Sequence, residues 1–214
     1  MAANATSNSV VVVIDDDNSV RGALKELLES VGLKVMPFRS GAEFLESTIP
    51  DVACCMVLDV RMPEMSGLKL QEQLGRAEVQ IPIVFITGHA DIAMAVRAMK
   101  AGAVDFLTKP FNNQDLLDAV YAALDRDRTR RTQKESISTV REYFNALSVR
   151  EREVLSHVAA GRLNKQIAAE LGISEVMVKV HRANGMRKIH AKSVAELVRM
   201  TDLLRAGHAS APPG

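Results

Sequence analysis

The chain has 214 residues, 47% hydrophobic and 25% charged, which suits a globular protein with one large or two small domains. A net charge of +1 conceals an asymmetry: residues 1–140 carry 15 Lys/Arg against 19 Asp/Glu, whereas residues 141–214 carry 12 against 7. The basic second part points to a polyanionic partner, and the longest apolar runs (10–14 and 83–86) fall far short of the ~20 residues that span a membrane.

The N-terminal stretch from Met1 to Ser9 is polar and has no apolar h-region, so no signal peptide is expected and a cytoplasmic location is. The two cysteines, Cys54 and Cys55, are adjacent in an apolar run. Neighbours on a strand point to opposite faces, so burial as small hydrophobes is expected, not an intrachain disulfide.

Five strand-length apolar runs follow in order: 10–14, Lys34–Phe38, 54–58, 83–86 and 104–107. Helical patterns lie between them. Val20, Leu24, Leu27, Leu28 and Val31 recur at three and four residues and stop at Gly32, a residue suited to a helix C-terminus. Residues 42–47, Gly67–Arg76, 91–101 and 114–124 repeat the pattern. Alternating strands and helices predict a parallel sheet covered on both faces, and five such repeats predict a flavodoxin-like doubly wound α/β fold.

Residues 125–136 (DRDRTRRTQKES) contain no apolar side chain and read as a solvated linker, coil or helix, with a phosphate-binding basic patch as the alternative. An all-helical pattern follows. Ser148 and Glu151 have capping-box spacing. Gly161 breaks the chain, 164–171 (NKQIAAEL) forms a short helix, Gly172 turns it, and Ser174 caps a further helix over 174–189. Two helices joined through a Gly-containing turn make a helix-turn-helix, whose second helix enters the DNA major groove. The residues from 207 (GHASAPPG) read as a disordered tail. His157, His181 and His190 fall on separate helices or opposite faces without Cys partners, which argues against a metal site.

The chemistry emerges at the strand ends. Asp15, Asp16 and Asp17 follow the first strand, Asp59 the third, Thr87 the fourth and Lys109 the fifth. Open α/β sheets bind ligands at these carboxyl ends. Clustered carboxylates repel one another, which a hard divalent cation such as Mg²⁺ relieves. One carboxylate can then serve as nucleophile and form an aspartyl-phosphate.

The motifs VVIDDD, LDVRMPEMSG, FITGHAD and AVDFLTKPF, in that order, resemble the receiver domain of bacterial two-component response regulators over residues 9–126. The resemblance implies Asp59 as phosphoacceptor. It implies an acidic pair in Asp15 and Asp16, a Mg²⁺ shell of Asp16, Asp59 and the Arg61 carbonyl, and phosphate sensing by Thr87 and Lys109. It also implies a cis Lys109–Pro110 bond and a switch aromatic at Phe106. Many members have Tyr there; the nitrogen-fixation-regulator (FixJ-like) subgroup has Phe and shares ITGH and the run around MAVRAMKAGAVDF.

The motifs LSVREREVL, GRLNKQIAAELGIS, VKVHR, MRKI and KSVAELV resemble the DNA-binding domain of the LuxR/NarL class over residues 142–206, after a linker at 127–141. This implies DNA contacts from Val178, Lys179, Arg182 and Lys188, and dimerisation through 194–204. Two departures stand out. Met177 replaces a common Thr, and Gly185 replaces an apolar residue. A helix-interior Gly costs ~1 kcal/mol relative to Ala, so a weakened, more mobile reading helix is expected.

Together these features predict a phosphorylation-controlled transcription regulator and not a turnover enzyme. Its implied partners are a sensor histidine kinase, double-stranded promoter DNA, RNA polymerase and, once phosphorylated, a second copy of the chain. Two other readings stay open. An aspartate-nucleophile phosphatase would carry a second acid two residues after Asp59, where Arg61 stands. A phosphorylation-independent regulator would not need the acidic pocket.

Overall fold

A computed structural model describes residues 9–88 and 91–209, with side chains to residue 206. Two compact units divide between Arg131 and Thr132. The first unit alternates β1 (Ser9–Ile14), α1 (Asn18–Ser30), β2 (Lys34–Phe38), α2 (Gly41–Leu45), β3 (Ala53–Asp59), α3 (Gly67–Arg76), β4 (Ile83–Thr87), α4 (Ile92–Lys100), β5 (Asp105–Thr108) and the start of α5 (Asn113–Asn145). The five strands are parallel, in the order β2-β1-β3-β4-β5. This is the doubly wound α/β fold expected.

The side-chain period of a strand explains the two-layered core. Val11, Val13, Cys55, Val57, Val84 and Ile86 pack on one face beneath α1 and α5. Val12, Ile14, Met56, Leu58 and Phe85 pack on the other with Phe44 of α2 and Leu70 of α3. Strands buried on both faces read as continuous apolar runs. Cys54 and Cys55 lie in β3 as buried free thiols, and burial pushes both above the ordinary thiol range. The expected end of α1 is present: Gly32 has φ +82°, and the N–H groups of Gly32 and Leu33 donate to the carbonyls of Glu29 and Leu28, a Schellman ending.

The stretch read as a solvated linker is different. Residues 125–136 continue α5 without a break, and Asp127 is fully buried. Its carboxylate accepts from the Cys54 N–H at 3.0 Å and from the guanidinium groups of Arg130 and Arg131. Arg131 also reaches Asp51, and Arg128 donates to the Ser9 hydroxyl at 2.8 Å. Residues without apolar side chains are therefore tied to the starting ends of β1 and β3. Burial pushes the Asp127 carboxyl up, but the Cys54 N–H and the two arginines outweigh it and hold the group below its usual value.

The second unit holds α6 (Val149–Ala159), α7 (Asn164–Leu171), α8 (Glu175–Lys188) and α9 (Val194–Ala209) around Val154, Leu155, Ile167, Val178, Ile189 and Leu197. The capping box forms: the Glu151 N–H donates to Ser148 Oγ, and the Ser148 N–H donates to Glu151 Oε2. Gly172 takes φ +65° at the turn between α7 and α8. α9 runs on to Ala209, so the first three residues of the expected disordered tail are helical; 210–214 lie outside the described residues.

Candidate functional site

The carboxyl ends of the strands converge as their register requires. Asp15 follows β1 and is 1% exposed; Asp59 ends β3 and is 5% exposed; Thr87 ends β4 and is fully buried. Lys109 follows β5, its N–H donating to the Thr87 carbonyl at 2.7 Å, ahead of a cis bond to Pro110. The Lys109 ammonium donates to Asp15 Oδ2 at 2.7 Å and to Asp59 Oδ1 at 2.9 Å. One cation thus bridges carboxylates from two strands.

The second oxygen of each carboxylate is held by backbone. The Arg61 N–H donates to Asp59 Oδ2 at 2.7 Å, and the Asp17 N–H donates to Asp15 Oδ1 at 2.9 Å. Gly67 makes room for this geometry. A Cβ there would collide with the Asp59 carbonyl and press on Leu58 and Phe85. Burial is the largest influence on Asp59, and with the charge of Asp15 it raises the carboxyl above its usual value despite the opposing pull of Lys109. Burial alone would lower the Lys109 ammonium, but its bonds to Asp15 and Asp59 raise it.

The three consecutive aspartates divide their work. Asp17 caps α1, accepting from the Ser19 N–H at 2.7 Å and the Val20 N–H at 3.3 Å. Asp15 turns inward, and Asp16 stays exposed at the rim. Of the three, Asp17 alone caps the helix. Sequence reasoning missed Arg21. Its Nη1 donates to the Asp15 carbonyl at 2.6 Å and its Nη2 to Asn18 Oδ1 at 2.9 Å, which fastens the loop carrying the acids. Its place one turn into α1 was the only available signal.

Among the described residues, no three His, Cys, Asp or Glu side chains are drawn together as a ready metal cage. Mg²⁺ binds through one or two carboxylates and keeps several waters. The all-oxygen donor set of Asp15, Asp16 and Asp59, with Asp59 disfavouring its charge, fits such an ion.

In the second unit, Val178, Gly185 and Ile189 form the buried stripe of α8. Val178 is fully buried, which corrects its expected place on a DNA-facing surface. Lys188 is also engaged within the unit: its ammonium donates to Glu151 Oε2 at 2.7 Å. That bond, ahead of the Ser148 N–H, lowers the Glu151 carboxyl. Arg182 is half-buried and donates to Asn164 Oδ1 at 3.3 Å. Of the four residues expected on DNA, Lys179 alone is both exposed and without a side-chain bond to the described residues of its unit.

Comparison with known proteins places both units. Residues 11–121 match the response regulator receiver domain, and residues 145–201 match the bacterial regulatory proteins of the luxR family. The chain belongs to the two-component response regulators. This response regulator is 52% identical to nodulation protein W of Bradyrhizobium diazoefficiens, over 94% of the chain and 88% of the relative. It is 44% identical to the transcriptional regulatory protein FixJ of Rhizobium meliloti, over 89% and 93%. The solved response regulator StyR matches it with a TM-score of 0.83 and 50% identity, covering 91% of this chain and 98% of that one. The response regulator is thus a transcription regulator built from a receiver and a luxR-type helix-turn-helix, as its motifs implied. No helix among its described residues is long and apolar enough to cross a membrane.

Proposed function

We propose that phosphorylation of Asp59 by a sensor histidine kinase switches this regulator to a dimer that binds promoter DNA and contacts RNA polymerase. Residues 9–126 serve as the receiver and 142–206 as the DNA-binding domain. The observation that carries the reading is the Lys109 ammonium held between Asp15 and Asp59 at the strand ends.

An Asp59 oxygen attacks the phosphorus of a phosphohistidine. The P–N bond breaks, its electron pair returns to the imidazole nitrogen, which takes up a proton, and an acyl phosphate remains on Asp59. Bound Mg²⁺, held by Asp16, Asp59 and the Arg61 carbonyl with Asp15 nearby, would neutralise phosphoryl oxygens. Lys109 is already within hydrogen-bond reach of Asp59 and can follow the new charge of about −1.5 to −2. Thr87 ends the neighbouring strand and would receive another phosphoryl oxygen.

The switch would reach the surface through Phe106, which is half-buried with its ring 6.2 Å from that of Phe85. A Phe can move inward on packing alone, without a hydroxyl to satisfy. The neighbouring α4 face exposes Ile92, Val96 and Met99, an apolar surface suited to a second receiver. Receiver pairing would make the second DNA contact effectively intramolecular and raise affinity without new contacts.

Sedimentation and gel-shift titration with a small-molecule phosphodonor test the reading. Phosphorylated wild type is expected to dimerise and bind DNA at least tenfold more tightly than Asp59→Ala. Equal affinities would refute the coupling.

A further inference from the structure

The outward face of α8 is apolar at its centre. Val176 is 68% exposed, Val180 44% and Met177 42%. Val176, Val180 and the exposed Ala183 stand at i, i+4 and i+7, opposite the buried stripe of Val178, Gly185 and Ile189. Val176, Met177 and Val180 occupy the first two turns of the helix, the part that meets base edges in a helix-turn-helix. Exposed cations accompany the strip, Lys179 and Arg187 on α8 and Lys165 on α7, and Glu175 is the one acid on α8. An apolar strip framed by cations complements a polyanion whose interior offers apolar groups. In the DNA major groove that group is the thymine 5-methyl, the one apolar feature among the hydrogen-bonding edges.

We infer that this regulator reads its DNA half-site chiefly through thymine methyl groups, packed against Val176, Met177 and Val180, while the cations hold the phosphates. The inference rests on the DNA-binding role proposed above. It departs from the polar readout that Arg182 and Lys188 would provide, since both bond to residues of their own unit.

The test uses the full-length chain treated with a small phosphodonor. Bound sequences are first selected from a randomised duplex library. Each thymine of the selected half-site is then replaced in turn by uracil, which removes the methyl and nothing else. The selected half-sites are expected to hold thymines at the positions under the helix, and each critical uracil should weaken binding roughly four-fold. Val180→Ser should bind more weakly than wild type and lose its sensitivity to uracil; its exposed position spares the fold. Tight binding that is indifferent to every uracil replacement, or half-sites with no thymine, would overturn methyl readout and leave the regulator's DNA-binding role intact. Selection of no sequence at all would overturn both.

Discussion

Gly185 shows how one residue reverses its meaning once its neighbours are known. As a helix-interior glycine it suggests a weak helix with a missing core side chain. In the structure Leu155 of α6 occupies the missing volume: a Cβ on residue 185 would lie 2.9 Å from Leu155 Cδ1 and 3.1 Å from its Cγ. The glycine lets α6 and α8 approach. Gly185→Val is therefore expected to destabilise the DNA-binding unit by about 2 kcal/mol, the usual scale of overpacking. Denaturant unfolding followed by circular dichroism would show a lower midpoint; an unchanged or raised one would mean that Leu155 yields freely.

Asp59 carries a prediction of opposite sign. Its raised carboxyl means that the folded state binds the proton more tightly than the unfolded chain. The associated stability is complete below the unfolded value, about 4, and is lost as pH rises through the folded one. With chelator present, Asp59→Asn should therefore melt a few degrees above wild type at pH 7, and the gap should close in acid. Added Mg²⁺ should raise the melting temperature of wild type and leave that of Asp59→Asn nearly unchanged.

At the scale of elements, α5 departs most from its sequence pattern. Its run from 125 to 136 contains nothing to bury by the usual hydrophobic reading, yet Asp127 is its most buried side chain. The i+3 and i+4 arginines were legible as helix pairs. The Cys54 N–H, 73 positions away, was not. Asp127→Ala leaves the Cys54 N–H and the partly exposed Arg130 guanidinium without their acceptor and leaves Arg131 only Asp51, and should cost about 2 kcal/mol. Because the Asp127 carboxyl sits below its ordinary value, its contribution is present above pH ~4 and disappears as pH falls through the folded value. Unfolding curves for wild type and Asp127→Asn should converge in strong acid and separate above it. Parallel curves at every pH would show that the charge of Asp127 is not involved.

The reading helix shows a related limit. Its buried stripe contains Gly185, which has no side chain to reveal it, while three exposed apolar residues counterfeit a second stripe. The apolar period of α8 is therefore blurred, and Val178 was assigned to the wrong face.

For the whole molecule, the opposite charges of its two parts match the division of labour between a carboxylate-based receiver and a luxR-type DNA-binding domain. DNA affinity should fall steeply with salt, because cations on the second unit displace counterions from phosphate. A log–log slope near zero in a salt titration would contradict the role given to Lys165, Lys179 and Arg187.

The sequence by itself determined the strand and helix order, the caps at Ser148 and Ser174, and the convergence of Asp15, Asp59, Thr87 and Lys109. Each follows from local periodicity, from capping chemistry, or from the rule that parallel strands present their carboxyl ends together. Only the tertiary structure decided that Asp127 is buried, that Gly185 is a contact, and which face of α8 looks outward. Each of these depends on a neighbour distant in sequence: the backbone of Cys54, the side chain of Leu155 and the packing of α6 against α8. Local patterns do not encode such meetings, because a side chain's burial is fixed by what another segment places against it.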